Sequence, residues 1–152
     1  MDPLYFEDFQ IGQRIESHTA PMDRERILSF AAEFDPQPQH IGEEAARGSM
    51  FGMLIASGWH TACQTMRLQF DALFSRFPGG AMGAQVDSMA WRRPVLPGDE
   101  LRIVLEILEM RPSRSRPKQG LLTLKTTTLN QNDQTVMEMT AAVLVPRRVA
   151  QP

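Results

Sequence analysis

The spacing of apolar residues changes period once along this chain, and this change constrains the fold more than any other feature. Before Pro78-Gly79-Gly80, apolar side chains recur every three or four residues over about four turns, which predicts a long helix beginning at Ser57-Gly58. After that break, apolar and polar residues alternate, which predicts half-buried strands. One long helix followed by consecutive strands favours antiparallel hairpins beside a helix, so the predicted fold class is α+β.

We expect the long helix to be central and largely buried, because its apolar residues form one continuous stripe. That stripe consists of Trp59, Ala62, Cys63, Met66, Phe70, Leu73 and Phe74. Upstream, the pattern predicts a strand over 14–20 and a helix over 22–34 with Asp23 as its N-cap. Downstream, the alternation predicts strands over 84–95, 101–107, 122–128 and 134–145.

Length and charge narrow the kind of protein. A chain of 152 residues that is 42% hydrophobic fits one domain spanning 1–152, and no apolar run is long enough to cross a membrane. The formal net charge of -2 argues against a nucleic-acid partner, because phosphate recognition needs a clear basic excess. The single cysteine, Cys63, excludes an internal disulfide and a thiolate zinc cluster. With acidic residues where a signal peptide would be basic, the chain is expected in the cytoplasm.

A loop of six residues, Asp35-Pro36-Gln37-Pro38-Gln39-His40, carries the clearest chemical signal in the sequence. A carboxylate and an imidazole, with ordinary pKa values of about 3.9 and 6.5, are suited to sharing one water and moving its protons near neutral pH. The two prolines exclude a helix here, because each lacks an amide N–H and restricts the residue before it. The acid and the base are therefore predicted to lie on a stiff loop.

This loop supports a shared site only if it bends back on itself. A straight polyproline II path of five residues would place Asp35 and His40 about 15 Å apart, too far to hold one water. From the residues alone, a purely structural interpretation carries similar weight: Asp35 would cap a turn and His40 would cap the next helix.

Several ordered motifs accompany this loop over nearly the whole chain. Asp35-x-x-Pro38-x-His40 is followed by Gly48, by Ala56-Ser57-Gly58-Trp59-His60-Thr61 and by Trp91-Arg92-Arg93-Pro94-Val95-x-x-Gly98-Asp99. Together these motifs resemble the MaoC-like hydratases, the group that includes R-specific enoyl-CoA hydratases. The resemblance implies a hot-dog fold, in which an antiparallel β-sheet wraps around a long central helix. It also implies a homodimer that acts on acyl thioesters of coenzyme A or of acyl carrier protein.

The same resemblance implies roles for individual residues. Asp35 and His40 match the catalytic pair of the family, and Gly58 matches the glycine whose backbone N–H holds the thioester oxygen. A helix start suits that oxygen on physical grounds as well, because its free N–H groups and its dipole stabilise negative charge. Asp35 and His40 are expected to hold the nucleophilic water.

Three further residues of these motifs, Gln37, Ser57 and Trp59, are expected to contact the substrate. Two positions depart from the family pattern. Gln37 stands where the better-known R-hydratases have asparagine, and its longer amide donates into the site or reshapes it. Met66 stands where those enzymes carry a serine, so one polar support of the aspartate is expected to be missing.

The connection between two predicted strands carries a basic cluster of Arg111, Arg114, Arg116 and Lys118. Such a run is usually a solvated loop, but the phosphates of coenzyme A need cationic partners. Arg114 and Arg116 are therefore candidates for binding the nucleotide end of the substrate, with the pair Arg92-Arg93 as a second option.

The sequence predicts a hydratase or dehydratase that adds water to an enoyl thioester or removes it, and the resemblance implies a 3R-hydroxyacyl product. An acyl-CoA thioesterase and a non-catalytic acyl-CoA-binding protein stay open as alternatives. No metal and no cofactor is expected, because no His-Glu-x-x-His spacing exists and coenzyme A enters only as part of the substrate. One helix and one sheet leave little room for an enclosed acyl tunnel, which also favours a homodimer.

Overall fold

The computed structural model describes residues 1–148, in which six strands form one antiparallel sheet. The strands are β1 (Arg14–Glu16), β2 (Ala20–Pro21), β3 (Met82–Trp91), β4 (Glu100–Pro112), β5 (Gln119–Leu129) and β6 (Thr135–Pro146). The sheet order is β1-β4-β5-β6-β3, and β2 pairs with the start of β4. Residues 149–152 of the predicted domain lie outside the described residues. No helix among residues 1–148 is long and apolar enough to cross a membrane.

Three α-helices precede β3: α1 (Arg24–Phe34), α2 (Glu43–Arg47) and α3 (Gly58–Ala72). The longest, α3, packs against β4, and its Leu68 is fully buried in a cluster with Leu101 and Ile103. The sheet curves around this helix. The predicted α+β class and hot-dog fold are confirmed. Ser57 caps α3 as predicted, because its Oγ accepts the Trp59 N–H at 3.3 Å.

The side of α3 that faces the sheet is not the predicted one. Its buried residues are His60, Thr61, Gln64, Thr65, Leu68 and Gln69, whereas Trp59, Cys63, Met66 and Phe70 of the apolar stripe are exposed. The polar side packs inward because it pairs with threonines of β5. The Thr65 and Thr128 hydroxyls lie 2.7 Å apart, and Gln69 Nε2 donates to Thr126 Oγ1 at 2.7 Å. The prediction of a buried apolar stripe is therefore wrong for Trp59, Cys63, Met66 and Phe70 in the single chain, whereas Leu73 at the end of the stripe is buried as predicted.

The predicted strand over 14–20 is interrupted, and β1 and β2 are separate short strands. The cause is Ser17, whose Oγ accepts the Ile103 N–H at 2.9 Å in place of a backbone partner. The strand predicted over 84–95 begins earlier and ends at Trp91, since Val95 turns away and its carbonyl accepts the Ala56 N–H at 2.8 Å. The three remaining strands were predicted at their observed places, with β4 and β5 longer than the pattern indicated.

The helices α1 and α2 flank the Asp35–His40 loop and hold its two ends. Asp23 occupies the N-cap position of α1 as predicted, and the helix stops at Phe34 because Pro36 follows. At the other end of the loop, the Arg24 guanidinium donates two hydrogen bonds, of 2.6 and 2.7 Å, to the Glu43 carboxylate at the start of α2. The loop is thus fixed between two connected helices.

Candidate active site

The loop between α1 and α2 bends back, so that its acid and base face each other. Residues Pro38–His40 form a short 3-10 turn, started by the fixed φ of Pro38. Asp35 Oδ2 and His40 Nε2 lie 3.5 Å apart. A shared site was expected only if the loop bends back, and the structure shows this bend. His40 does not cap the next helix, because the N-cap of α2 is Gly42 and no side chain among residues 1–148 caps that helix. The Asp35 carboxylate pairs with the side chains of Ser57 and Gln37 instead of capping a turn.

Asp35 is supported by two side-chain donors. Ser57 Oγ donates to Asp35 Oδ2 at 2.7 Å, and Gln37 Nε2 donates to Asp35 Oδ1 at 2.7 Å. Burial alone would raise the pKa of Asp35, but these hydrogen bonds and the charge of His40 outweigh burial and hold the pKa below its ordinary value. The carboxylate is therefore ionised throughout the neutral range and has a fixed orientation.

The His40 imidazole is buried, and a backbone carbonyl fixes its orientation. Its Nδ1 lies 2.7 Å from the Ile55 carbonyl oxygen, which can only accept, so Nδ1 carries a proton and donates. The Ile55 N–H in turn donates to the Gln39 carbonyl at 2.9 Å, which ties the segment before α3 to the loop. As a result, Nε2 is the ring nitrogen that faces Asp35 and is available for chemistry.

Gly58, the first residue of α3, presents a backbone N–H with no acceptor among residues 1–148. Trp91 fits closely over this glycine: its indole Nε1 donates to the Gly58 carbonyl at 2.8 Å, and a Cβ added to Gly58 would lie 2.7 Å from that nitrogen. A side chain at this position would therefore displace Trp91. Ser57 connects this helix start to the acid, because one hydroxyl both caps α3 and binds Asp35.

These groups line one cavity of about 430 Å³, in which Asp35, His40 and Gly58 are all wall residues. The cavity offers an ionised carboxylate, an imidazole nitrogen and a free N–H at a helix start. This combination can hold a water and polarise a carbonyl oxygen in the same space. Other side chains in its lining are Gln37, Gln39, Phe51, Trp59, Trp91 and Arg93. Within residues 1–148, no group of three or more His, Cys, Asp and Glu side chains is arranged to hold a metal.

A family model described as a MaoC-like domain matches residues 8–130. The chain belongs to the MaoC-like dehydratase family. A crystal structure of a MaoC-like dehydratase from Rhodospirillum rubrum has 44% identity and a TM-score of 0.88, covering 96% of this chain and 99% of that one. The uncharacterized protein YdeM of Bacillus subtilis is 34% identical over 146 residues, covering 95% of this chain and 100% of that protein. A 3-hydroxybutyryl-CoA dehydratase of Methylorubrum extorquens is 30% identical over 148 residues, covering 95% of this chain and 86% of that protein.

Not every predicted substrate contact of this MaoC-like chain lies at the cavity. Gln37 and Trp59 line it, but Ser57 is completely buried, so its hydroxyl reaches Asp35 and not the cavity. Met66, which stands where the R-hydratases carry a serine, lines a different cavity. Polar support of Asp35 comes instead from the side chains of Gln37 and Ser57. The longer amide of Gln37 therefore still donates into the site.

Arg114 and Arg116 lie in the β4–β5 connection, at the opposite end of the sheet from the MaoC-like site. Trp91 of the cavity pairs with Met137 near the start of β6. The β4–β5 connection lies at the other end of β6, where the Arg147 N–H donates to the Lys118 carbonyl. About ten strand residues, or roughly 30 Å, separate the two positions. Within a single chain, Arg114 and Arg116 therefore do not reach the cavity. Arg92 and Arg93, the alternative candidates for binding coenzyme A, line the cavity directly.

The sequence assigned no role to Trp91, Gln39 or Ile55 in the MaoC-like site. Trp91 belongs to one of the ordered motifs, and this position could have predicted its place at the site. The role of Ile55 is carried by its backbone carbonyl, for which side-chain identity gives no signal.

Proposed function

We propose that this MaoC-like protein adds water to enoyl thioesters of coenzyme A, or removes it from the corresponding 3R-hydroxyacyl thioesters. The observation that carries the proposal is the 3.5 Å separation of Asp35 Oδ2 and His40 Nε2 in a cavity that Gly58 also lines. The similarity to a 3-hydroxybutyryl-CoA dehydratase supports both the reaction class and the carrier.

In the proposed hydration, one water on the cavity side hydrogen-bonds to both Asp35 Oδ2 and His40 Nε2 and attacks the β-carbon of the enoyl group. Asp35 takes a proton from the water as the new carbon–oxygen bond forms. His40 enters this step with a proton on each ring nitrogen. The electron pair of the double bond moves onto the thioester as an enolate, which then takes the Nε2 proton of His40 at the α-carbon, on the same face. Transfer of a proton from Asp35 back to His40 restores both groups, so atoms and charges balance.

The negative charge that develops on the thioester oxygen needs a donor, and the Gly58 N–H is suited to that role. It stands at the first turn of α3, where the helix dipole favours negative charge, and it is otherwise unpaired among the described residues. For the coenzyme A moiety, we favour Arg93 over the predicted Arg114 and Arg116, because Arg93 lines the cavity.

The same proposal includes a homodimer. The exposed stripe of α3 includes Met66, 51% exposed, and Phe70, 48% exposed. Among residues 1–148, β3 pairs only with β6, which leaves its second edge free, and Val86 on this strand is 55% exposed. An apolar helix face beside a free strand edge is a surface that soluble proteins cover. A second copy of the chain, with the same two features, matches that surface by symmetry.

Purified protein with crotonyl-CoA and, as a matched control, the saturated butyryl-CoA tests the reaction. A hydratase removes the absorbance of the conjugated ester, adds the mass of one water and leaves butyryl-CoA intact. Release of free thiol from both esters would replace the proposal with a thioesterase. Binding of both esters without any change in mass would replace it with a binding protein.

A further inference from the structure

The first peptide unit of α3, between Gly58 and Trp59, is held at both of its polar atoms. Its carbonyl accepts the indole N–H of Trp91 at 2.8 Å, and its N–H donates to Ser57 Oγ at 3.3 Å. The N–H groups in the first turn of a helix have no intrahelical acceptor, and glycine has the widest backbone freedom of any residue. These two side-chain contacts therefore restrict a position that would otherwise be loose.

Trp91 is a suitable anchor for the helix start because the sheet fixes it. It is the last residue of β3 and pairs with Met137 of β6, and the N–H of the next residue, Arg92, donates to the Val136 carbonyl at 2.8 Å. The Trp91 ring also makes an edge contact with the Trp59 ring, with centroids 5.2 Å apart. The indole thus ties the first residue of α3 to a hydrogen-bonded pair of strands.

Only a glycine at position 58 allows the indole to approach the backbone this closely. A Cβ on Gly58 would lie 2.7 Å from Trp91 Nε1 and 2.8 Å from Cε2. The absence of a side chain at this position is therefore required by the contact with Trp91, and not only by the access of a ligand to the Gly58 N–H.

The same contacts extend to the acid of the site. Ser57 Oγ, which accepts the Trp59 N–H, donates to Asp35 Oδ2 at 2.7 Å. Ser57 thus links the carboxylate to one side of the peptide unit that Trp91 holds from the other side. In the hydration, the attacking water and the thioester oxygen have to be placed in one geometry, and a donor that is fixed beforehand needs no reorganisation in the transition state.

We propose that Trp91 is a positioning residue for this reaction: through the Gly58 carbonyl, its indole N–H holds the Gly58 N–H in the direction of the thioester oxygen. The inference rests on the proposed function. The hydrogen bonds from α3 to β5 fix the rotation of the whole helix, whereas Trp91 fixes its first residue. The indole N–H donates to the protein backbone, so it acts on the substrate only through Gly58.

The test replaces Trp91 with 3-benzothienylalanine, which keeps the bicyclic ring and carries sulfur in place of the N–H. Loss of a whole oxyanion donor lowers kcat by about 10²–10³-fold, and here the donor is retained but held less firmly. We therefore expect kcat for crotonyl-CoA to fall about tenfold, with KM within about twofold of the parent. Trp91→Phe, which also lacks the N–H, is a second variant and should lose at least as much. Circular dichroism checks that both fold.

A second measurement uses the ¹⁵N order parameter of the Gly58 amide in glycine-labelled protein. It should fall from the value of about 0.85 typical of rigid backbone towards about 0.6 in the benzothienyl protein. Gly98 and Gly120 are internal references and should not change. The control is the same replacement at Trp59, whose indole N–H has no hydrogen-bond partner among residues 1–148, and it should leave the Gly58 value unchanged.

An unchanged kcat in the folded variants, or an unchanged order parameter at Gly58, would overturn the inference. A fall at every glycine would show a general loosening of the fold and would overturn it as well. If the parent protein does not hydrate crotonyl-CoA, the proposed function fails. The order parameter then decides by itself whether Trp91 holds the Gly58 amide.

Discussion

Asp35 receives hydrogen bonds on both carboxylate oxygens, from Ser57 and from Gln37, and stands 3.5 Å from His40 Nε2. Each contact favours the ionised form, so the residue is well placed to hold a water but is a weaker base than a free carboxylate. The fixed Nδ1 proton of His40 determines which imidazole nitrogen takes part. At this scale the site is a carboxylate–imidazole pair whose geometry is set by a few neutral donors and acceptors.

Asp35→Asn keeps the shape of this side chain and removes its negative charge. Without the base, kcat/KM for hydration of crotonyl-CoA should fall by about a hundredfold or more. The measurement is initial-rate absorbance, with circular dichroism as a check on folding. Glu33→Gln, an exposed change nearby on α1, is the control and should retain full activity. An Asp35→Asn protein with normal activity would remove the residue from the mechanism.

The pKa of Asp35 predicts the acid side of the pH profile. Because the folded-state pKa lies below its ordinary value, the carboxylate stays ionised, and activity should persist, at pH values where a free aspartate is protonated. Activity is lost as the pH falls through that lowered pKa. Ser57→Ala removes one hydrogen bond that lowers the pKa, so the acid limb of kcat/KM should move to higher pH.

Ser49→Ala is the matched control for this shift, since the Ser49 hydroxyl donates to the Ala46 carbonyl in α2. Its acid limb should coincide with that of the parent. If Ser57→Ala lowers the rate equally at every pH, the hydroxyl only positions the helix start and does not tune the acid.

Among the elements, α3 departs most from the pattern of an amphipathic core helix. Its polar side packs on the sheet through the Thr65–Thr128 and Gln69–Thr126 pairs, and its apolar side is exposed. These two side-chain hydrogen bonds fix the rotation of α3 about its axis. They therefore also fix the directions of the Gly58 N–H and of the apolar stripe. The strand β5 supplies both threonines from alternate positions on one face.

Gly120 on β5 gives a test of how the N-terminal segment is packed. A Cβ at this position would overlap the Phe6 ring, so Gly120→Ala should lower the free energy of unfolding by about 1–3 kcal/mol. Gly83→Ala on β3, where no atom of residues 1–148 lies within 4 Å of an added Cβ, is the control and should be nearly neutral. Urea denaturation measures both. Equal stability of the two variants would mean that Phe6 moves aside at little cost.

For the whole molecule, the position of the arginines across the sheet predicts which of them bind coenzyme A. Arg93→Gln should raise KM for crotonyl-CoA severalfold, with a smaller effect on the pantetheine ester, because only the former carries the nucleotide phosphates. Arg114→Gln/Arg116→Gln should change neither KM. A rise in KM for coenzyme A esters in the second variant alone would return the nucleotide site to the β4–β5 connection.

The exposed stripe of α3 predicts the assembly. A specific, stable protein interface typically buries at least about 1,200–2,000 Å² in total, and the core of a homodimer interface is apolar. Phe70→Glu places a charge in that stripe and should shift the protein to a monomer, as measured by sedimentation velocity at micromolar concentration. Because Phe70 is exposed in the single chain, the variant should still fold. Ile11→Glu, at an exposed apolar residue distant in sequence from the stripe, should leave the dimer intact. A parent protein that sediments as a monomer would contradict the dimer directly.

The amino-acid sequence by itself determined the features that depend on neighbouring residues. The period of apolar residues predicted α3 and the strands, Pro36 and Pro38 predicted a stiff loop, and Ser57 predicted the start of a helix. These are local interactions, and the residues that make them are close along the chain. The ordered motifs added the resemblance to MaoC-like hydratases, which the family model confirms.

Only the tertiary structure decided which groups meet across the chain. The buried side of α3 depends on threonines about sixty residues away, and hydropathy alone gives the opposite answer. The Ser57–Asp35 bond and the bond from His40 to the Ile55 carbonyl depend on how the loop docks on the helix start. The sheet order places Arg93 at the cavity and Arg114 far from it. Such contacts depend on strand order, register and helix rotation, which are settled by long-range packing and leave little trace in local residue spacing.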